Sequence, residues 1–576
     1  MDIYRKYYSR YKIQFISGVI FVSLEAFCNL MQPTIMARII DDGVKSGNLD
    51  MILKYGLLML LITALGTLFA VTRSILASRV SQSMGADLRE DLFVKIMHFS
   101  EKSADKIESG SLITRMTNDA SQLAQFVGGL MRIYVKAPLT CIGSIILAVM
   151  LSPRLSVIIL LFVVVVTVLI VISMKLSYAL FAKVQYAIDK VNTVVQEYLM
   201  GVRLVKAFGR FKNEEDKFET ANENLTSRSI TSQLVITYFS PLISLVVNIG
   251  IVLLIYFGSI LFQGGDIEVG KVSALINYMG QILASLIMIT NIFNTLVRTK
   301  ASAKRIEEIL TSEDDFPAGD TVFDNNEATT GIEFKNVSFA YPEGSGLPAI
   351  NNLSFKADRG QILAIIGPTG SGKSTLGWLC LRFYDADTGT ISVNGSDIRT
   401  LGSNAIRENI AVAPQESMLF SGTVHENIMW GNSGAPKNDI ITAAKAAQAD
   451  GFINEMPKKY ESFLGQGGIN LSGGQKQRIS IARALVSRAQ ILILDDCTSA
   501  LDAVTESKVL QAISNEAAVS GKTVILITQR IGTASRASKI LVLEDGEQAG
   551  FGTHDELLKT CKVYKDIYDS QIGGDV

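Results

Sequence analysis

Long, nearly charge-free apolar runs fill the first half of the chain, and short interrupted ones fill the second. Runs at about 14–39, 52–72, 137–151, 155–174, 236–262 and 272–297 predict about six membrane spans, since a helix needs about 20 mainly apolar residues to cross a bilayer. The third run is short for a span unless its helix begins earlier, near Met131. The long stretches between the second and third runs, and between the fourth and fifth, hold few glycines or prolines. They are expected to continue the membrane helices well past the bilayer.

After residue 310 the pattern changes. Residues 311–330, "TSEDDFPAGDTVFDNNEATT", are polar and acidic with Pro and Gly, and read as a linker. Beyond them short apolar strands such as "QILAIIG" and "TVILIT" alternate with helical stretches, as in a soluble α/β domain. The expected organisation is a transmembrane domain over 1–310, a linker, and an α/β domain over 331–576.

Charge sets an expected orientation. Arg79, Arg89, Lys95, Lys102, Lys106, Arg115, Arg132 and Lys136 lie between the second and third spans, and Lys183, Lys190, Arg203, Lys206, Arg210, Lys212 and Lys217 between the fourth and fifth. The other connectors hold Lys45, Arg154 and Lys271. Positive charge marks cytoplasmic loops, so both long segments, both termini and the soluble domain should be cytoplasmic, in a multi-pass protein of a bacterial-type cell membrane. The basic, aromatic start "MDIYRKYYSRYK" runs into the first span without a small-residue cleavage site, which reads as a retained span.

Composition adds two exclusions. A formal charge of −1 offers no basic excess for nucleic acid. The five cysteines, Cys28, Cys141, Cys380, Cys497 and Cys561, are scattered without CxxC spacing, so neither a disulfide framework nor a zinc site is indicated. Hydrophobic residues at 48% and a mean hydropathy of +0.30 fit a membrane protein.

The soluble half carries phosphate chemistry. "GPTGSGKS", Gly367 to Ser374, follows an apolar strand and precedes a helical stretch, the context that a G-x-x-x-x-G-K-[ST] loop requires. Gly367, Thr369, Gly370, Ser371, Gly372 and Thr375 frame a loop whose amides converge on phosphate oxygens at a helix N-terminus. Lys373 should reach the β- and γ-phosphates and Ser374 should ligate Mg²⁺. In "ILILDDCTSALD", 491–502, Asp495 ends a buried strand and is placed to hold the same Mg²⁺. "LSGGQKQRISIARALV", 471–486, offers Ser472, Gly473, Gly474 and Gln475 at the start of an amphipathic helix.

Together these segments resemble the nucleotide-binding domain of an ATP-binding-cassette (ABC) transporter, and the whole chain resembles a half-size, type I ABC exporter. The resemblance implies that Tyr341 in "VSFAYPEG" stacks on adenine. It implies that Gln415 in "VAPQES" senses the γ-phosphate and metal, and that Asp502 in "SALD" sits at a cassette dimer contact. It also implies that "GSLITRMTNDASQL" (110–123) and "EYLMGVRLVKAFGR" (197–210) carry coupling helices.

Three departures stand out against that likeness. The family places Glu after the magnesium aspartate, where it polarises the attacking water; here it is Asp496, with roughly 1–1.5 Å less reach. A base must come within about 2.6–3.2 Å of its proton or act through water, and a misplacement of about 1 Å costs on the order of 100-fold in rate. The family places His after the next strand, against the γ-phosphate; "TVILITQR" has Gln529 there, and His98, His425 and His554 all lie elsewhere. "LGQGGIN" replaces a Glu-Arg pair frequent before the signature. Such a chain resembles the degenerate-site subunit of heterodimeric bacterial multidrug exporters, expected to hold ATP and Mg²⁺ but cleave slowly. The expected partner is a second, different half-exporter with Glu and His restored and an altered signature.

Within the spans, Glu25 is an acid in an apolar run, which marks either a substrate or proton path or a paired packing group. Asn29, Gln32, Asn248, Asn277, Gln281, Asn291 and Asn294 are candidates for the same path or for interhelical hydrogen bonds. The expected cargo is amphipathic small molecules, with lipid or peptide export and a purely regulatory role as alternatives.

Overall fold

The computed structural model describes residues 2–105, 107–312, 330–342 and 346–572. The linker expected at 311–330 lies, apart from residues 311, 312 and 330, outside the described residues. The chain divides into two compact units, Met1–Met97 with Ser109–Ser312, and His98–Glu108 with Glu313–Val576.

Among the described residues the first unit contains six helices long and apolar enough to cross a membrane: Lys6–Val44, Leu49–Met97, Gly110–Leu151, Pro153–Phe208, Phe211–Gln263 and Val269–Leu310. The third, short as an apolar run, gains its length by starting at Gly110. The fourth has 56 residues, about 84 Å of helix at 1.5 Å per residue, far more than a roughly 30 Å hydrocarbon core. Local chemistry fixes the turns. Ser152 caps the fourth helix, accepting from the Leu155 amide at 3.4 Å, with Pro153 in the first helical turn. Gly209 ends that helix in the left-handed region at φ 61°.

Apolar residues point outward along these helices; Leu57 is 69% and Leu60 68% exposed, a surface that lipid rather than water can cover. Inward, Leu155, Ile159, Leu254, Leu275, Tyr278 and Ile282 are buried in one cluster. Polar pairs tie the helices together. The Asp41 carboxylate accepts the Gly270 amide at 2.6 Å at the start of the sixth helix, where the helix dipole favours an anion. Asp119 accepts from Ser302 at 2.7 Å and from the Arg305 guanidinium. The third helix widens into a π segment at Leu130–Tyr134. Pro138 accounts for it, since it has no amide for the carbonyl of residue 134 and crowds it.

Among the described residues the second unit contains twelve strands: β1 Thr330–Phe339, β2 Ile350–Asp358, β3 Ile362–Ile366, β4 Thr388–Val393, β5 Ser396–Asp397, β6 Ile410–Ala413, β7 Gly422–Thr423, β8 Phe463–Leu464, β9 Ile491–Asp495, β10 Thr523–Ile527, β11 Lys539–Glu544 and β12 Glu547–Gly552. Six form a sheet of order β12-β11-β3-β10-β9-β6, parallel except for the edge strand β12. A parallel sheet is covered on both faces and its strands read as continuous apolar runs. In β9, Ile491 and Ile493 enter one core cluster while Leu492 and Leu494 enter another, the period-two alternation of a strand. A four-stranded antiparallel sheet, β2-β1-β4-β5, lies beside it in sequence.

Candidate functional site

The parallel register brings the expected chemistry to one edge. Ile365 of β3 pairs with Ile527 of β10, which pairs with Asp495 of β9, and Leu494 pairs with Ala413 of β6. The residues following these strands therefore emerge side by side: Gly367–Ser374 after β3, Gln529 after β10, Asp496 after β9 and Gln415 after β6. Ligands of open α/β sheets bind at this carboxyl edge.

Gly370 and Gly372 adopt φ of 87° and 92°, values that side chains strain against. Gly372 is the N-cap of the helix Lys373–Cys380. Lys373 folds back over the loop, with Nζ donating to the carbonyls of Gly367 at 2.9 Å and Pro368 at 2.6 Å. It is almost fully buried, and burial pulls its pKa below the usual lysine range, with Asp496 and Asp495 opposing. A buried ammonium whose partners are mostly neutral carbonyls is a place for polyanionic oxygens. Ser371 is buried and Thr369 exposed in the same loop. The Tyr341 hydroxyl lies 3.1 Å from Thr375 Oγ1, and its ring meets Phe339 and Tyr384 edge-on.

The Ser374 hydroxyl donates to Asp495 Oδ1 at 3.2 Å. Burial raises the pKa of Asp495 above the ordinary carboxylate range, and the Ser374 hydrogen bond opposes this. These two hard oxygen ligands fit Mg²⁺, which takes most of its shell from water and phosphate. Among the described residues no group of three or more His, Cys, Asp or Glu forms a metal site of its own. Gln415 is exposed after β6 and its side chain makes no hydrogen bond among the described residues, so it is at the right edge but not joined to this pair.

Asp496 has φ 41°, in the left-handed region where Asp is better tolerated than most residues. Its amide donates to Ile527 O at 2.9 Å, and the Thr528 amide donates to Ile365 O at 3.1 Å. The backbone at 496 is thus fixed to the sheet. Burial raises the Asp496 pKa, with Arg530 and Lys373 pulling it down. Gln529 is exposed.

Ser472 and Gln475 form a capping box at the helix Gly473–Leu485, with the Gln475 amide donating to Ser472 Oγ at 3.3 Å and the Ser472 amide to Gln475 Oε1 at 2.9 Å. No hydrogen bond joins Ser472, Gly473, Gly474 or Gln475 to the phosphate loop among the described residues. Within one chain the signature is a capped helix start. Asp502 caps the helix Ala503–Ser520, accepting from the Thr505 amide at 2.9 Å, and stays exposed.

Three contributors escaped the sequence reading. Gln477 donates to Ser499 Oγ at 3.0 Å and accepts from the Ala500 amide at 2.9 Å, joining the signature helix to the segment before Asp502. Glu506 is buried and paired with Arg530 at 2.5 Å, and Arg530 also donates to Ser499 O at 2.8 Å. Gln571 donates to Gln529 O at 2.7 Å and accepts from the Ile531 amide at 2.9 Å. No short motif marks contacts between residues this far apart in sequence.

In the membrane unit Glu25 is paired: Arg73 Nε donates to it at 2.7 Å and Lys136 Nζ at 2.6 Å. Both carboxylate oxygens are engaged, so a free acid for a cationic ligand is not what the geometry presents. Asn29 is half-buried and Asn248, Asn277 and Asn291 are exposed; Asn277 donates to its own helix at Ser273 O, 3.0 Å. The Asn294 side chain lies outside the described residues. Gln32 lies 3.4 Å from Thr63 Oγ1, and Gln281 accepts from Ser144 at 3.1 Å, so both serve as interhelical contacts.

Comparison with known proteins agrees with this architecture. Residues 15–286 match the model of the ABC transporter transmembrane region and residues 350–499 that of the ABC transporter. The chain is 40% identical, over 96% of each chain, to the uncharacterized ABC transporter ATP-binding protein YfiB of Bacillus subtilis. It is 31% identical to an ATP-dependent lipid A-core flippase of Pseudomonas savastanoi, over 89% of this chain and 84% of that one. Its fold resembles that of a bacterial Atm1-family ABC exporter solved with ATP bound, with TM-score 0.81, 24% identity and 99% of each chain covered. With one transmembrane region joined to one ATP-binding domain in a single polypeptide, the chain belongs to the ABC transporter family as a half-size exporter.

Proposed function

We propose that this chain is one subunit of a heterodimeric exporter that moves amphipathic small molecules out of the cell. In this reading its own pocket holds ATP and hydrolyses it slowly. The observation that carries this is the pinned backbone of Asp496. A shorter base could compensate only if its backbone moved toward the nucleotide, and the bond from its amide to Ile527 O opposes that movement. Gln529 compounds the loss, because an amide can hydrogen-bond phosphate but carries neither proton nor positive charge.

The loop amides and Lys373 bind the triphosphate, and Tyr341 takes the adenine face. Ser374 and Asp495 hold Mg²⁺, which when bound offsets charge on the β- and γ-phosphates. Gln415 moves toward that pair as the membrane domain rearranges. The intact Ser472–Gln475 signature and Asp502 complete the pocket of a partner half-exporter carrying the Glu and His missing here. ATP bound across both pockets favours cassette contact and an outward-facing membrane domain. Both termini and the ATP-binding domain lie in the cytoplasm of a bacterial-type cell, at its inner membrane. A lipid cargo is the second reading, favoured by the likeness to a lipid flippase.

Tyr341→Ala should weaken ATP binding several-fold while leaving inorganic triphosphate binding unchanged, since loss of one stacking face removes about 1 kcal/mol; equal losses for both ligands would contradict the adenine role. The transport reading is tested in inside-out vesicles bearing this chain with a half-exporter encoded beside it. ATP-dependent accumulation of an amphipathic dye is expected with the pair and not with either chain alone. Full accumulation by this chain alone would contradict the heterodimer.

A further inference from the structure

The charges around Glu25 do not balance. Arg73 is 11% exposed and Glu25 7%, with Lys136 on the other carboxylate oxygen. Arg132, one turn before Lys136 on the third helix, reaches the same stretch of the second helix, its Nη2 lying 3.4 Å from Ser74 O. Its Nε is buried with no hydrogen-bond partner among the described residues. Glu25 is the only Asp or Glu in residues 13–40, 55–86 and 120–151, the parts of these three helices nearest the cluster. Arg73 and Lys136 therefore share one carboxylate, while Arg132 beside them pairs with no acid among the described residues.

Depth makes the imbalance matter. About 28 Å of helix separates Glu25 from the end at Val44, and about 22 Å separates Lys136 from Leu151. Arg73 stands about 36 Å from the helix start at Leu49, so the cluster sits at one edge of a roughly 30 Å hydrocarbon core, where unpaired charge is still costly and marks a partner or a pathway. Beyond Lys136 the polar face continues, with Thr140 2.7 Å from Ser285 and Ser144 3.1 Å from Gln281 on the sixth helix.

We propose that Arg73, Arg132 and Lys136 form a recognition site for the phosphate or carboxylate group of an anionic amphiphile, with Glu25 as the resident counter-ion that the ligand displaces. The formal excess of two positive charges matches a phosphate monoester, which carries about −1.5 to −2 at neutral pH, and arginine's planar fork suits its oxygens. The inference rests on the transport reading above and narrows its substrate class. It reverses the sign expected from Glu25 alone, since the acid serves the cations and not the cargo.

Binding of radiolabelled dodecyl phosphate and dodecyltrimethylammonium to the full chain in phosphatidylcholine nanodiscs tests this without ATP or flux. Dodecyl phosphate should bind at least tenfold more tightly than the cation. Arg132→Gln and Lys136→Gln should each lower its affinity at least fivefold and leave the cation unaffected. Glu25→Gln, by removing the competing carboxylate, should raise dodecyl phosphate affinity. Arg132→Gln removes no ion pair seen here, so it reports on the site even where the Glu25 variant fails to fold. Equal binding of the two probes, or no effect of Arg132→Gln and Lys136→Gln, would overturn the proposal. Replacing part of the phosphatidylcholine by phosphatidylglycerol separates the sources: competition with dodecyl phosphate assigns the site to a lipid headgroup, and undiminished binding assigns it to a free amphiphile. Anion binding by this chain, with no ATP-dependent flux in vesicles bearing it together with its partner half-exporter, would uphold this site and sink the transport reading; flux by that pair without anion binding would do the reverse.

Discussion

Asp496→Glu combined with Gln529→His should raise ATP turnover by the chain about 10- to 100-fold, with little change in ATP affinity. The glutamate adds one methylene and brings a carboxylate oxygen roughly 1–1.5 Å further out, and a shift of that size is worth on the order of 100-fold when it restores the near-attack position of water. In the proposed reading the histidine supplies a donor toward the γ-phosphate in place of Gln529. The gain carries a local cost. Residue 496 sits at φ 41°, and a longer side chain tolerates that region less well than Asp, by about 1 kcal/mol at most. A slightly lower melting temperature should therefore accompany the faster rate. Steady-state hydrolysis and equilibrium nucleotide binding on the same preparation check both parts; unchanged turnover at full occupancy would show that the limit lies elsewhere in the pocket.

Lys373→Ala should reduce MgATP affinity about 100-fold, equivalent to about 2.8 kcal/mol. The ammonium is buried and already aimed into the loop through the Gly367 and Pro368 carbonyls, so the wild-type chain reorganises little to meet phosphate. The alanine also leaves those carbonyls without their donor, which loosens the loop that must present its amides. Ligand that binds only the folded state raises the melting temperature by mass action. MgATP should therefore stabilise the wild-type chain clearly and the variant barely. Equal stabilisation of both would remove Lys373 from the binding machinery.

The fold was legible where one physical signal dominates. Apolar run length marked six spans, and the third became unambiguous only through the helix that starts at Gly110, a stretch too polar to count by hydropathy. The phosphate loop was legible because Gly370 and Gly372 have to be glycine at their φ values, and strand β9 because four consecutive apolar residues end in Asp495. What the sequence did not reveal depends on contacts between distant positions. Glu25 could be recognised as an expensive acid, but its partners Arg73 and Lys136 stand on two other helices. The same holds for Arg530 with Glu506 and for Gln571 with the Gln529 backbone. Gln415 shows the opposite limit: the register places it at the same sheet edge as Ser374 and Asp495, while its side chain makes no hydrogen bond to them among the described residues.

Slow turnover in a fully occupied nucleotide pocket is the property on which the proposed heterodimer rests. The direct measurement is steady-state ATP hydrolysis by the wild-type chain purified alone in nanodiscs, with nucleotide occupancy determined in the same sample at millimolar MgATP. Near-complete occupancy with turnover below about 0.1 per second, well under the 1 per second at the slow end of ordinary enzymes, is the predicted result. Full occupancy with turnover of about 1 per second or more would contradict it.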